Sequence, residues 1–257
     1  MNSDPTQKAL HDRLSELLDA SACPNTATWF NNYLKGAITY RGLKTPALKN
    51  ILQELFRLTS VDQLPPDTQL DHIRFWLAAP MAEDKLTAIL WLKQWLTIEA
   101  RHGDPTRAVM RALDLVESTF AAGDIDDWST NDWLCVRVLE TMPIRYPIAI
   151  ERLMGWVNAD SVWQRRSSLL AFKKAAKIGH FHSEVERLIA RLLPSDARFI
   201  QTAVGWVLSD LSRHYAQLAG RLFETHFDEL SHEVIVRHTK HLPNHQELKQ
   251  RSRRRPR

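Results

Sequence analysis

Glycine and tyrosine are scarce in this sequence, with 8 and 4 occurrences among 257 residues. A β-rich fold uses more of both, so abundant leucine, alanine, arginine and glutamate predict helices instead. The two cysteines, Cys23 and Cys135, lie far apart, which excludes a disulfide framework and fits a reducing compartment. No apolar run approaches the roughly 20 residues that span a bilayer, and the start MNSDPTQK lacks the features of a signal peptide. We therefore expect a soluble, cytoplasmic protein.

Basic residues are concentrated at the C-terminus. From Glu247 onwards there are six basic residues and one acid, a net charge of +5, which leaves −1 for residues 1–246 because the whole chain carries +4. A face that binds a polyanion must therefore arise from segregation of charge within a nearly neutral body. We predict that residues 243–257 form a disordered tail. This tail is either solubilising or a weak DNA-anchoring arm.

Apolar residues recur at helical spacing along most of the chain, and no segment has the pattern of a strand. Thr45-Pro46 and Asp104-Pro105 each read as a cap followed by proline at the first helical position. The spacing of Ser183 and Glu186 predicts a capping box at the start of a later helix. The sequence thus predicts an all-α protein with one domain over residues 1–242.

A register of 36 residues favours a repeat array over a helical bundle, although both fit a dozen short helices. Asp124, Asp160 and Asp196 are each 36 residues apart, and each precedes a predicted helix; Trp163 and Phe199 share the offset. Helix pairs that recur at about 35–45 residues are typical of α-solenoids, whose concave face suits a long polymer. We predict an α-solenoid of HEAT-like helical repeats with a concave DNA-binding face.

The stretch from Asp124 to Trp133 contains four acids and two indoles. Ser129 or Thr130 can cap a helix there, with Asp132 in its first turn and Trp128 before or at its beginning. Two interpretations follow. The acids can be caps and the indoles core, or a carboxylate and an aromatic face can share one wall of a groove.

Basic residues also cluster near predicted helix starts, where phosphate oxygens are natural ligands. Arg165 and Arg166 lie beside two serines, and lysines at 173, 174 and 177 continue the same predicted helix. A second cluster, formed by Tyr40, Arg41 and Lys44, precedes the helix that begins at Thr45. Together these clusters favour a nucleic-acid partner. The histidines do not have the spacing of a zinc site, and the sequence contains neither a phosphate-binding glycine loop nor a serine nucleophile elbow. A metal or an organic cofactor is therefore not implied.

Four motifs carry a resemblance to a known family. They are Tyr33-Leu-Lys35 with Gly42-Leu-Lys-Thr45-Pro46, Trp128-x-x-x-Asp132, Trp163-Gln-Arg-Arg166, and Phe199-Ile-Gln-Thr-Ala-Val-Gly205-Trp206-Val-Leu208. In order and spacing, residues 28–242 resemble the AlkD-like DNA alkylation-repair glycosylases, which are built from HEAT-like repeats. The resemblance implies a catalytic Asp132 flanked by Trp128 and Trp206, with Tyr33 and Arg166 nearby.

The resemblance further implies excision of purines alkylated at N3 or N7 from duplex DNA, by a monomer and without flipping of the base. Such an enzyme belongs to base excision repair and works in the cytoplasm, associated with the nucleoid when it is on DNA. The residues that we expect to contact DNA are Tyr33, Lys35, Lys44, Thr45, Trp163, Arg165 and Arg166. The alternative is a non-catalytic HEAT-repeat scaffold for bent or branched DNA or for a protein partner.

Overall fold

The computed structural model describes residues 5–255. Arg257, which belongs to the predicted tail, lies outside the described residues. Within them the secondary structure is helical, with no strand and one isolated bridge between Thr39 and Met81. The prediction of an all-α fold is confirmed. The chain divides into two compact units, with the boundary between Val138 and Leu139, and each is described by itself.

The first unit is organised around one buried helix, α5. Its helices are α1 Pro5–Ala20, α2 Pro24–Leu34, α3 Thr45–Thr59, α4 Pro66–Leu77, α5 Ala82–His102, α6 Pro105–Ala122 and α7 Trp128–Arg137, with a 3-10 turn at Val61–Gln63. Helix α5 packs against α3, α4, α6 and α7. Trp76, Trp91 and Trp95 are buried. The Trp91 indole contacts the Trp76 ring at 5.0 Å between centroids and donates to Gln69 Oε1 at 3.2 Å.

The second unit has α13 at its centre. Its helices are α8 Met142–Arg145, α9 Ile150–Gly155, α10 Val162–Leu170, α11 Lys173–Lys177, α12 His182–Leu192, α13 Arg198–Ser212, α14 Ala216–Thr225, α15 His232–His238 and α16 His245–Arg253. Short 3-10 turns lie at Leu139–Thr141, Pro147–Ala149 and Trp156–Asn158. Helix α13 packs against α10, α14 and α15.

Contacts between residues about 35 positions apart recur in the second unit. Trp163 packs on Phe199, Arg221 pairs with Glu186, and Arg198 pairs with Glu233. Side chains at equivalent positions of neighbouring repeats meet in this way when helical repeats stack. The contacts agree with the repeat period read from the sequence, while the solenoid itself stays a prediction.

The helix starts agree only partly with the sequence-based predictions. Asp104 caps α6 as predicted, because its side chain accepts from the Thr106 amide at 2.9 Å. The capping box at Ser183 is wrong. Helix α12 begins one residue earlier, after Phe181 in the left-handed conformation (φ 59°), and the Ser183 hydroxyl donates to Glu184 at 3.0 Å.

In the described part of the tail, the prediction of disorder is also wrong. Residues 245–253 form α16, and Arg251 donates to both carboxylate oxygens of Glu224 at 3.0 and 2.8 Å. The guanidinium groups of Arg251 and Arg255 lie 4.1 and 3.8 Å from the centroid of the Phe227 ring. Cation–π contacts and ion pairs of this kind fix the basic segment on the rest of the unit, although its composition alone predicts disorder.

A close approach of α13 and α15 gives a stability prediction. A Cβ at Gly205 would lie 2.5 Å from Cδ2 of His238 and 3.0 Å from Cγ1 of Val234. We expect Gly205→Ala to lower the free energy of unfolding by about 1–2 kcal/mol, because overpacking outweighs the better helix propensity of alanine.

Gly220 provides the matched control, since it also lies within a helix but has nothing within 4 Å of the added Cβ. Gly220→Ala should be neutral or stabilising by up to about 1 kcal/mol. Urea unfolding of both variants measures the difference. If both substitutions change the free energy of unfolding by the same amount, the side chains between α13 and α15 can move to accommodate the added methyl group.

Candidate active site

A buried carboxylate holds the loop that leads into α3. Glu83 accepts from the amides of Gly42 and Leu43 at 2.8 and 3.0 Å, and its second oxygen accepts from the Arg41 amide at 2.9 Å. The loop packs closely on α2, because a Cβ at Gly42 (φ 97°) would lie 2.5 Å from the Ala27 amide nitrogen. Glu83 thereby fixes the Gly42-to-Pro46 motif relative to both α2 and α5.

The predicted phosphate cluster before α3 is mostly occupied inside the unit. The Arg41 guanidinium pairs with Asp84 and, at 2.7 Å, with Asp19, so it does not serve as an exposed phosphate ligand. Tyr40 is buried as well. Lys44 is exposed directly before the first residue of α3, Thr45, which is half-buried. Lys35 is exposed at the end of α2, in the left-handed conformation (φ 54°).

Asp127 fixes the start of α7. Its carboxylate accepts from the amides of Ser129 and Thr130 at 2.8 and 3.0 Å and from the Thr130 hydroxyl. The prediction that Ser129 or Thr130 caps this helix is therefore wrong, because the helix begins at Trp128 and these residues supply the amides. Burial raises the pKa of Asp127, while the hydrogen bonds from Thr130 and Ser129 act in the opposite direction.

Two further contacts anchor the segment around Trp128. The Tyr40 hydroxyl hydrogen-bonds the Ser129 hydroxyl at 2.8 Å, and burial raises the pKa of Tyr40 to about 12. The buried Lys85 ammonium donates to the carbonyl oxygens of Leu77, at 2.7 Å, and Asp124. Burial lowers the pKa of Lys85. These contacts tie the start of α7 to α4, α5 and the loop before α3.

Trp128 and Asp132 lie one helical turn apart at the beginning of α7, and both are half-buried. Because the helix begins at Trp128, Asp132 falls in the second turn, one turn later than predicted. The ring of Tyr33, on α2, meets the Trp128 indole edge-on, with 5.5 Å between centroids and an interplanar angle of 72°. The first unit thus brings together three of the predicted site residues on two helices.

In the second unit, α10 carries the predicted residues Trp163, Arg165 and Arg166. The Trp163 ring is half-buried against Phe199, 4.6 Å between centroids. Arg165 is half-buried and donates to the Ala159 carbonyl at 3.4 Å. Arg166 is only 4% exposed, and it donates to the Phe199 carbonyl and, at 3.2 Å, to the Thr202 hydroxyl.

Arg166 therefore joins α10 to the start of α13, the helix that carries Trp206. The phosphate contact of Arg166 stays a prediction, whereas its role in holding α13 follows from these hydrogen bonds. The Arg166 side chain is buried, unlike an exposed phosphate ligand, and the partners of its guanidinium lie 33 and 36 residues away in the chain.

A cation lies over the indole of Trp206. The Lys173 ammonium is 4.6 Å from the ring centroid, 3.6 Å from Glu140 and 3.5 Å from Asp210. Lys173 does not continue the helix of Arg166, because α10 ends at Leu170 and α11 begins at Lys173. The predicted phosphate cluster thus loses Lys173, while Lys174 and Lys177 are exposed. The Lys173 ammonium thus lies within cation–π distance of the Trp206 ring.

The hydrogen bonds of Arg166 give a second prediction. Arg166→Ala should lower the free energy of unfolding by about 2–4 kcal/mol, because the part-buried Phe199 carbonyl and Thr202 hydroxyl lose a charged donor. Arg198→Ala is the control, since Arg198 is exposed and pairs with Glu233 at the surface, where such a pair contributes about 1 kcal/mol or less. If urea unfolding shows that both variants lose the same free energy of unfolding, Arg166 does not have the role assigned to it in holding α13.

Three residues of this region were not predicted from the sequence. Glu83 gives no local signal, because its partners lie about 40 residues away. Asp127 was identifiable in principle, since its side chain bonds the amides two and three residues later. Trp29 was also identifiable, because it lies four residues before Tyr33 and thus on the same face of α2.

Among residues 5–255, the structure contains no group of three or more histidine, cysteine or acidic side chains arranged to hold a metal ion. In the same part of the chain, the helices are too short or too polar to cross a membrane.

Comparisons with known proteins identify the family and a similar fold. A family model described as "DNA alkylation repair enzyme" matches residues 14–242. The fold is similar to a solved structure from Enterococcus faecalis, described as a predicted DNA alkylation repair enzyme, with a TM-score of 0.66 and 17% sequence identity. The match covers 91% of this chain and 98% of that one. No curated protein sequence matches the chain.

Proposed function

The chain belongs to the family of DNA alkylation repair enzymes, and on that premise we propose that it is a glycosylase for alkylated purines. It hydrolyses the N-glycosidic bond of purines that are alkylated at N3 or N7 in duplex DNA, without flipping the base. It acts as a monomer in the cytoplasm and needs no cofactor.

The observation that carries the proposal is the pairing of Trp128 and Asp132 at the start of α7. A half-buried carboxylate lies one turn from an indole, and Tyr33 packs on that indole. The segment is anchored at four points, through Asp127, Ser129, Lys85 and the packing of α7 on α5. Such anchoring supports a charge that must be held in place before the reaction, because preorganised groups need no rearrangement as the transition state forms.

Hydrolysis of this glycosidic bond requires a nearby negative charge and does not depend on a general acid. A purine alkylated at N3 or N7 is cationic, so it takes the electron pair of the breaking bond and leaves as a neutral base. Positive charge meanwhile develops on the deoxyribose, and water adds at C1′ with loss of a proton. We assign to the Asp132 carboxylate the stabilisation of this oxocarbenium character and the orientation of the water.

We assign to Trp128 and Trp206 the recognition of the cationic nucleotide through their aromatic faces. Support for Trp206 comes from Lys173, whose ammonium already lies over that ring at 4.6 Å. The contact illustrates the property that this recognition uses, since the quadrupole of the indole ring attracts positive charge. Tyr33 is assigned to the sugar, and the exposed Lys35 and Lys44 to phosphates.

The test is release of free base from methylated duplex DNA by the purified protein. We expect 7-methylguanine and 3-methyladenine to be released and abasic sites to remain. A protein that binds this DNA without releasing base would be a scaffold and not a glycosylase.

A further inference from the structure

Helix α2 displays an aromatic pair to solvent. Trp29 and Tyr33 are each 58% exposed, and their rings stack with 5.1 Å between centroids and an interplanar angle of 11°. Tyr33 in turn contacts Trp128. The Trp29 indole therefore extends the aromatic surface of the candidate site outward, beyond the residues to which a function has been assigned above.

The packing of α2 relies mainly on a neighbouring face of the helix. That face contributes Leu34, which is buried, and Phe30, which stacks on Tyr40 at 4.5 Å and meets the Trp29 ring edge-on at 5.1 Å. The Tyr40 amide also donates to Asn31 at 3.3 Å and locks the helix to the following loop. An indole left largely in water adds little to the core, and exposed apolar groups next to a site are typical of interaction surfaces.

The segment of the chain that carries the pair is basic. Between Asp19 and Glu54 the sequence contains no acid and four basic residues, Lys35, Arg41, Lys44 and Lys49. Arg41 is neutralised by Asp19 and Asp84, and the three lysines are exposed. The loop that ends at Lys44 lies against α2, through the close approach of Gly42 to Ala27. Beyond the end of α2, two acids, Asp124 and Asp126, line a pocket with Gly36 and the buried Lys85. The exposed aromatic pair and the lysines of its own segment are complementary to nucleotides.

We propose that Trp29, together with Tyr33, is a stacking platform for an unpaired nucleobase of the DNA, with the neighbouring phosphates on Lys35 and Lys44. This inference rests on the proposed function, since it takes DNA as the ligand. Bases within an intact duplex already stack on their neighbours, so the platform favours DNA in which a base beside the lesion is unpaired. Stacking of a base on an aromatic side chain tolerates any sequence, because every base has a π face.

The experiment compares Trp29→Ala with the wild-type protein on two labelled DNAs of one sequence, an intact duplex and a duplex with a one-nucleotide bulge. Fluorescence anisotropy should show roughly tenfold weaker binding of the bulged duplex by the variant, and unchanged binding of the intact duplex. 2-Aminopurine in the bulge should be quenched by the wild-type protein and not by the variant. Trp29→Phe should restore most of the affinity.

The control is Ile178→Ala, which removes another exposed apolar side chain (55% exposed) and should change neither affinity. Circular dichroism of each variant establishes that it is folded. Unchanged binding of the bulged duplex by Trp29→Ala would overturn the inference, and so would an equal loss on both DNAs.

The stacking platform and the glycosylase activity can be tested separately. A wild-type protein that excises methylated bases but does not prefer the bulged duplex would overturn the platform and leave the glycosylase in place. A wild-type protein that neither binds DNA nor releases base would overturn both.

Discussion

Replacing Asp132 with asparagine is expected to reduce excision of 7-methylguanine by on the order of a hundredfold or more, with the fold and the DNA affinity retained. The change keeps the size of the side chain and removes the charge that opposes the developing oxocarbenium ion. Because Asp132 lies beyond the first turn of α7 and Asp127 supplies the cap, the helix start should survive. Single-turnover kinetics on methylated duplex DNA measure the chemical step directly.

Asp126→Asn is the matched control. Asp126 is exposed and precedes the same helix, so its loss removes one nearby charge without changing the proposed site. The control should excise at close to the wild-type rate. If Asp132→Asn also excises at that rate, the catalytic assignment of Asp132 is wrong.

Replacing Gly42 with alanine is expected to lower the free energy of unfolding by about 3 kcal/mol or more, an effect large enough to depopulate the native state of a marginal protein. The residue has a φ of 97°, and an added Cβ would lie 2.2 Å from the Cys23 carbonyl oxygen and 2.5 Å from the Ala27 amide nitrogen. Both are backbone atoms of the α2 region, so neither can rotate away. Urea unfolding followed by circular dichroism measures the loss.

Gly36→Ala separates conformational strain from steric clash. Gly36 also has a positive φ, 72°, but nothing lies within 4 Å of the added Cβ. Its replacement should cost about 1–2 kcal/mol, the usual penalty for a side chain in the left-handed region. Should Gly42→Ala be no more damaging than Gly36→Ala, the close packing of the loop on α2 is not a determinant of the fold.

The sequence predicted those features that depend on neighbouring residues. Apolar spacing predicted the helices. The pair Asp104-Pro105 predicted the start of α6. The proximity of Tyr33 to the Trp128 segment was implied by the family resemblance and not by local spacing; their ring centroids lie 5.5 Å apart.

Partners distant in the chain account for most of the errors. Arg41 and Lys173 lie in sequence clusters that suggested phosphate ligands. In the structure Arg41 pairs with Asp84, 43 residues away, and Lys173 with Asp210, 37 residues away. The basic C-terminal segment is held as a helix because Arg251 contacts the Phe227 ring and pairs with Glu224. Local composition does not reveal such partners, because ion pairs and cation–π contacts are set by packing of helices on one another.

The most direct test of the central claim is base release by the purified wild-type protein from duplex DNA treated with a methylating agent. Chromatography of the released material should show 7-methylguanine and 3-methyladenine as free bases, with a matching number of abasic sites in the DNA. DNA that is bound by the protein but keeps every methylated base would contradict the claim.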